Sequence, residues 1–175
     1  SIQSNQKPIS LNHFLNLCRI PDFEIAFVGA VKAGNSTLIN ALLGRNYAPT
    51  DPNPETAVLT KFRSSEQDYV KVKFYSAKEW DKLWKSVQSD AEKFLELYKE
   101  LEAEKYKSKW VEHDEMCIDL ANNEIEDELK KWSSSQSAVH FFVKEIEVGI
   151  SSLPKEFPKQ VVFVDTPGLF DPVAF

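Results

Sequence analysis

Apolar positions recur along this chain with two different periods. Val70, Val72 and Phe74 alternate with Lys71 and Lys73, and Val143 to Ile150 sets Lys144, Ile146, Val148 and Ile150 against Val143, Glu145, Glu147 and Gly149. A period of two predicts half-buried strands. Two shorter stretches lack the alternation: Phe23 to Val28, apolar apart from Glu24, ends at Gly29, and Gln160-Val-Val-Phe-Val164 ends at Asp165. Such runs read as strands buried within a parallel sheet. Ala57 to Arg63 forms a further strand, expected to pair with 69–75 as a hairpin around Ser64-Ser-Glu-Gln-Asp68.

Elsewhere the period is helical. Ile9, Leu11, Phe14, Leu15 and Cys18 mark a short amphipathic helix within 1–22, stopped by Pro21. Ser36 to Leu43 is a second helix, with Gly44 placed to end it. Trp80, Trp84, Val87, Ala91, Phe94, Tyr98 and Leu101 recur at steps of four and three, predicting one helix of about six turns. A weaker, more acidic pattern runs from Lys109 to Trp132 through Val111, Ile118, Ala121, Ile125 and Leu129. The two facing stripes predict a helical hairpin inserted over 77–133. Packing explains an aromatic stripe of this kind, and a partner-docking arm is the functional alternative.

Charge sharpens this division. The net charge of −6 resides between Lys78 and Lys131, where 10 Lys face 16 Asp and Glu, while the rest of the chain balances. The insertion is therefore unsuited to nucleic acid or an anionic lipid surface. The chain's 175 residues suffice for one ordinary domain with its own core. No apolar run reaches membrane-spanning length and no secretory leader is visible, so a cytoplasmic location is expected. Cys18 and Cys117 have neither metal-site nor disulfide-framework spacing.

Two loops carry the candidate chemistry. Between a buried strand and a helix stands Gly29-Ala-Val-Lys-Ala-Gly-Asn-Ser-Thr37, the phosphate-loop pattern G-x-x-x-x-G-K-[S/T] with Asn35 in place of lysine. Backbone N–H groups of such a loop and the positive end of the following helix converge on phosphate. Gly29 permits the turn, Gly34 lets the backbone approach the β-phosphate, and Ser36 offers its hydroxyl to Mg²⁺. The second loop, Asp165-Thr-Pro-Gly168, puts a carboxylate at a strand end, suited to Mg²⁺, and a glycine N–H suited to a γ-phosphate. A plain β-turn is the alternative for that composition.

Val28 to Gly44 resembles the first nucleotide motif of GTPases, and Asp165-Thr-Pro-Gly168 their third. Lys32-Ala33 before Gly34, Pro54-Glu-Thr-Ala-Val-Leu-Thr60 and the long helical segment between the motifs most resemble bacterial dynamin-like GTPases of the dynamin superfamily. That resemblance implies an α/β P-loop GTPase fold, a doubly wound and mainly parallel sheet incomplete at its C-terminal side. It implies GTP/GDP and Mg²⁺ as ligands, with Ser36, Thr56 and Asp165 toward the metal, and Gly29, Lys32, Ala33, Gly34, Asn35, Ser36, Thr37 and Gly168 toward the nucleotide. Thr56 corresponds to the switch threonine that helps place the attacking water, and Lys32 and Asn35 are the other candidate catalytic positions. It further implies self-association across the nucleotide face and membrane remodelling or tethering, with peripheral membrane association through regions beyond this chain. The guanine-reading motif would follow Phe175, so the chain is expected to be the N-terminal part of a larger protein.

Asparagine at position 35 is shorter than lysine and neutral, so the cation that balances transition-state charge is missing. An inactivating change in a working GTPase, a natural pseudo-GTPase, and hydrolysis assisted by Lys32 are the three readings. Two other functions compete: a ribosome- or tRNA-associated GTPase, disfavoured by the 109 positions separating Thr56 from Asp165 and by the acidity between them, and a non-catalytic interaction module.

Overall fold

In the computed structural model the described residues are 21–27, 35–48, 58–120 and 124–166, without the side chains of Phe27, Asn35 and Asp90. The expected N-terminal helix, residues 28–34 and 167–168 of the two glycine loops, and Thr56 lie outside them. Among the described residues the strands are β1 (Phe23–Phe27), β2 (Leu59–Ser64), β3 (Tyr69–Phe74), β4 (Met116–Asp119), β5 (Val143–Ile150) and β6 (Val161–Asp165). They form one sheet in the order β1-β6-β2-β5-β3-β4. Helices α1 (Asn35–Leu43), α2 (Ala77–Asp90), α3 (Glu92–Glu100), α4 (Glu104–Trp110) and α5 (Ile125–Ser133) complete the α/β fold.

The sheet is mixed, where a mainly parallel one was expected. β1–β6 and β2–β5 are parallel, while β2–β6, β3–β5 and β3–β4 are antiparallel. The predicted β2–β3 hairpin does not form, because β5 enters between the two strands. Four residues suffice to cross the end of β5, since two strand spacings amount to about 10 Å. β1 is also more open than a buried strand: at the sheet edge, Phe23 and Ile25 are 60% and 44% exposed.

Register explains how the alternation is used. Ile25, Phe163, Phe62, Val148, Val70 and Ile118 align across all six strands. The next row, Ala26, Val164, Lys61, Glu147, Lys71 and Cys117, faces the other way, as period two requires. Ile39 and Leu43 of α1 and Ile125, Leu129 and Trp132 of α5 join the apolar face in one core. The polar face is held by ion pairs: Lys61 Nζ lies 2.8 Å from Glu24 and 2.6 Å from Glu145, and Arg63 bonds Asp22 through both terminal nitrogens.

The insertion differs most from expectation. The stripe from Trp80 to Leu101 is not one helix: the chain breaks at Ala91, and α2 and α3 fold back on each other. Trp84 and Tyr98 rings consequently meet at 4.9 Å, whereas a straight helix would separate those positions by about 21 Å. Ser86 Oγ and Ser89 Oγ each donate to a carbonyl three residues back, near the break, the local competition that weakens a helix end. The helical hairpin thus lies within 77–100. The expected second helix is instead α4, strand β4 and α5, with β4 paired to β3. Ser76 caps α2 reciprocally with Glu79. Trp80, Leu83, Val87, Phe94, Tyr98, Phe141 and Phe142 form a second core, so the aromatic stripe is packing.

Candidate functional site

Three neighbouring strands converge on Asp165. As the last residue of β6 it is level with Phe27, the last residue of β1, because those strands run parallel in register. On its other side it is level with Thr60 near the start of β2. β1 therefore ends at the same end of the sheet as Asp165. Helix α1 begins at Asn35 and packs on β6. Its second residue, Ser36, donates its hydroxyl to Asp165 Oδ2 at 2.9 Å, across 129 positions of sequence.

The electrostatics of this pair are simple. Burial pushes the Asp165 carboxyl up from its ordinary range, opposed by the hydrogen bond from Ser36. No acidic residue stands in the first turn of α1 itself, so the negative charge beside its positive end is that of Asp165. A half-buried carboxylate and an alcohol, both hard oxygen donors, fit Mg²⁺, which takes one or two carboxylates and completes its shell with water and phosphate. Among the described residues no cluster of three or more His, Cys, Asp or Glu offers a metal site of another kind.

Of the predicted site residues, Ser36 and Asp165 are brought together. Thr37 follows on the exposed side of α1, and Asn35 starts the helix. Gly29, Lys32, Ala33, Gly34, Thr56 and Gly168 lie outside the described residues. Two residues had not been singled out. Thr60 is 2% exposed beside Asp165, and Asn40 is 7% exposed one turn beyond Ser36. A polar residue between Ile39 and Leu43 on a helix was the available signal for Asn40. A groove of about 1190 Å³ runs along α1, walled by Thr37, Asn40, Gly44, Arg45, Asp68 and Ile125. Ser36 and Asp165 are not among its walls.

Residues 25–174 match the family described as Dynamin family. Dynamin-like protein 1 of Campylobacter jejuni subsp. jejuni serotype O:23/36 (strain 81-176) is 33% identical over 169 residues, covering 94% of this chain and 21% of that protein. The bacterial dynamin-like protein of Nostoc punctiforme is 43% identical over 56 residues, 32% of this chain and 8% of that one. A solved structure described as an oligomerised bacterial dynamin pair, providing a mechanism for the long range sensing and tethering of membranes, is similar at a TM-score of 0.64 and 29% identity. That similarity covers 87% of this chain and 20% of the other. This chain spans about a fifth of the Campylobacter relative.

Proposed function

This chain belongs to the dynamin family, and from that premise we propose that it is the nucleotide-binding part of a GTP-binding and GTP-hydrolysing protein that acts at membranes. The observation that supports the site is the 2.9 Å contact of Ser36 with Asp165. It joins the first residues of a helix following a glycine-bounded loop to the end of a strand preceding Thr-Pro-Gly. Bringing those two features to one point is what a magnesium-triphosphate site requires.

In this reading Gly29, Lys32, Ala33, Gly34, Ser36 and Thr37 hold the phosphates, and Gly168 offers its N–H to the γ-phosphate. Ser36, Thr56 and Asp165 hold Mg²⁺, which when bound neutralises charge on the β- and γ-phosphates. Thr56 also orients the attacking water. Asn35 donates a hydrogen bond but supplies no charge, so binding and turnover are impaired by several kcal/mol, about the scale of a buried charge-assisted contact. The relative described as tethering membranes supports action at a membrane, and its description as an oligomerised pair supports self-association. Among the described residues no helix is long and apolar enough to cross a membrane, which is consistent with peripheral attachment.

The test is GTP turnover by the protein before and after Asn35→Lys. A rise of about a hundredfold or more is expected, the scale of a lost transition-state contact. Equal turnover by the two proteins would refute the inactivation. The pseudo-GTPase reading, which Asn35 itself favours, predicts that the lysine variant binds the nucleotide yet still fails to hydrolyse it.

A further inference from the structure

The groove along α1 has a buried charge in its wall that the nucleotide site does not use. Asp68 borders the groove and is 7% exposed. Its Oδ1 accepts the N–H of Ser151 at 2.7 Å and so ties the chain entering β3 to the chain leaving β5. Its Oδ2 has no partner among the described residues. An asparagine would accept the Ser151 bond equally well, whereas a carboxylate at this depth costs free energy unless its charge is met. What the fold leaves unused at Asp68 is therefore one oxygen and the negative charge.

The rest of the wall complements a cation. Ser152 follows the residue that holds Asp68, and its Oγ lies 3.4 Å from the Tyr47 hydroxyl; both side chains border the groove. These hydroxyl oxygens accept as readily as they donate. Glu126 stands at the exposed edge, in a first turn of α5 that also carries Asp127 and Glu128. Arg45 is the one cation among the described walls, and it is already engaged. Asn40 is spent likewise: its Nδ2 donates to the Ala48 carbonyl at 3.0 Å, and its Oδ1 accepts the Ala48 N–H at 2.6 Å. At about 1190 Å³ the groove exceeds the roughly 300–1,000 Å³ of small-molecule sites, so it suits a stretch of chain better than a single small amine.

We propose that this groove docks a basic segment of a partner protein, with an arginine of that segment reaching Asp68. The planar fork of a guanidinium carries five N–H donors, enough to pair the free carboxylate oxygen and the hydroxyl oxygens beside it. Little water screens a carboxylate so buried, so the pair is stronger than an exposed surface ion pair. The net charge of −6 over 78–131 draws a basic partner toward the same side chains at longer range. The proposal goes beyond the nucleotide reading and does not depend on it, because Ser36 and Asp165 are not among the walls of the groove.

The experiment follows the backbone amide NMR signals of this chain, at matched ionic strength, on titration with capped Gly-Gly-Arg-Gly-Gly, with its glutamine counterpart and with guanidinium chloride. The arginine peptide should shift the Ser151 and Ser152 amides saturably, and the other two should not saturate over the same range. Asp68→Asn keeps the Ser151 bond through its amide oxygen and should weaken the arginine peptide about tenfold or more, the scale of a charge-assisted contact. Ser152→Trp, at an exposed position in the wall, should abolish binding by filling the groove. No saturable shift, or equal affinity for the glutamine peptide or in Asp68→Asn, would overturn the proposal. Guanidinium binding as tightly as the arginine peptide would overturn the peptide as the occupant. Should Asp68→Asn fail to fold, Ser152→Trp decides, and binding retained in that variant overturns the proposal.

Discussion

Ser36 Oγ and Asp165 Oδ2 lie 2.9 Å apart, although 129 positions separate them in the chain. The contact is fixed by backbone and not by side-chain reach. β1 and β6 run parallel with Phe27 level with Asp165, so the helix that follows β1 starts over the tip of β6. The hydrogen bond then costs little rotamer freedom, because serine and aspartate have short side chains.

The Tyr69 ring occupies the space beside Gly149 of β5, and a Cβ added there would meet Tyr69 Cε1 at 2.1 Å. Gly149→Ala must therefore displace the ring and break the 2.5 Å bond from the Tyr69 hydroxyl to Glu147. A loss of about 1–3 kcal/mol is expected in urea unfolding. Tyr69→Ala should remove most of the penalty of Gly149→Ala in the double variant, and simple additivity of the two losses would contradict the account.

How far the sequence anticipated this structure depended on the range of the interaction concerned. The runs at Phe23 and Gln160 as strands and the segment at Ser36 as a helix are legible because each is a local pattern next to a glycine or aspartate loop, whereas the exposed edge position of β1 is not. The hairpin of β2 with β3 failed because nothing in Leu59–Ser64 or Tyr69–Phe74 says that β5, some seventy residues later, will enter between them. The break at Ala91 was hidden for a different reason. Trp84, Val87, Ala91 and Phe94 keep helical spacing through it, and a folded hairpin buries the same stripe that a straight helix would. β4 is only four residues long and sits in an acidic stretch, where Val111 and Ile118 happen to fit a helical repeat. At the site, Ser36 and Asp165 were named from motif chemistry, whereas Asn40 and Thr60 act through backbone partners that a motif does not specify.

Trp80 is 1% exposed and meets Phe142, Trp84 and Tyr98 at centroid separations of 4.9, 5.8 and 6.0 Å. Trp80→Ala should cost about 3–5 kcal/mol in chemical denaturation, through the cavity it leaves beneath the helical hairpin. Trp80→Phe should cost distinctly less. A loss below 1 kcal/mol for the alanine variant, far under that range, would mean that the hairpin does not pack on Phe142 as described.

Glu79 is held below its ordinary carboxyl range of 4.5, first by the hydrogen bond from Lys144 and then by the backbone N–H of Ser76. Because the folded state favours the ionised form, its contribution is present above about pH 4.5 and is lost as pH falls through the lower folded value. The side chain is 40% exposed, so solvent screening leaves only about 0.5–1 kcal/mol. Glu79→Gln can retain the cap but not the charge. Its melting temperature should fall below that of the parent at pH 7 and converge with it toward pH 3. A constant gap between the two across that range would show that the ion pair contributes nothing.

The central claim is that Ser36 and Asp165 together form the magnesium end of a triphosphate site. It is tested most directly by calorimetric titration of the Asn35→Lys protein with a slowly hydrolysed GTP analogue, with Mg²⁺ and with chelator, alongside the same protein carrying Asp165→Asn. Asparagine can still accept the Ser36 hydrogen bond, so the fold should be unchanged. The account predicts that Mg²⁺ strengthens binding by about tenfold or more with Asp165 and has almost no effect with asparagine, since a neutral amide is a poor ligand for a hard cation. An equal gain from Mg²⁺ in both proteins would contradict it.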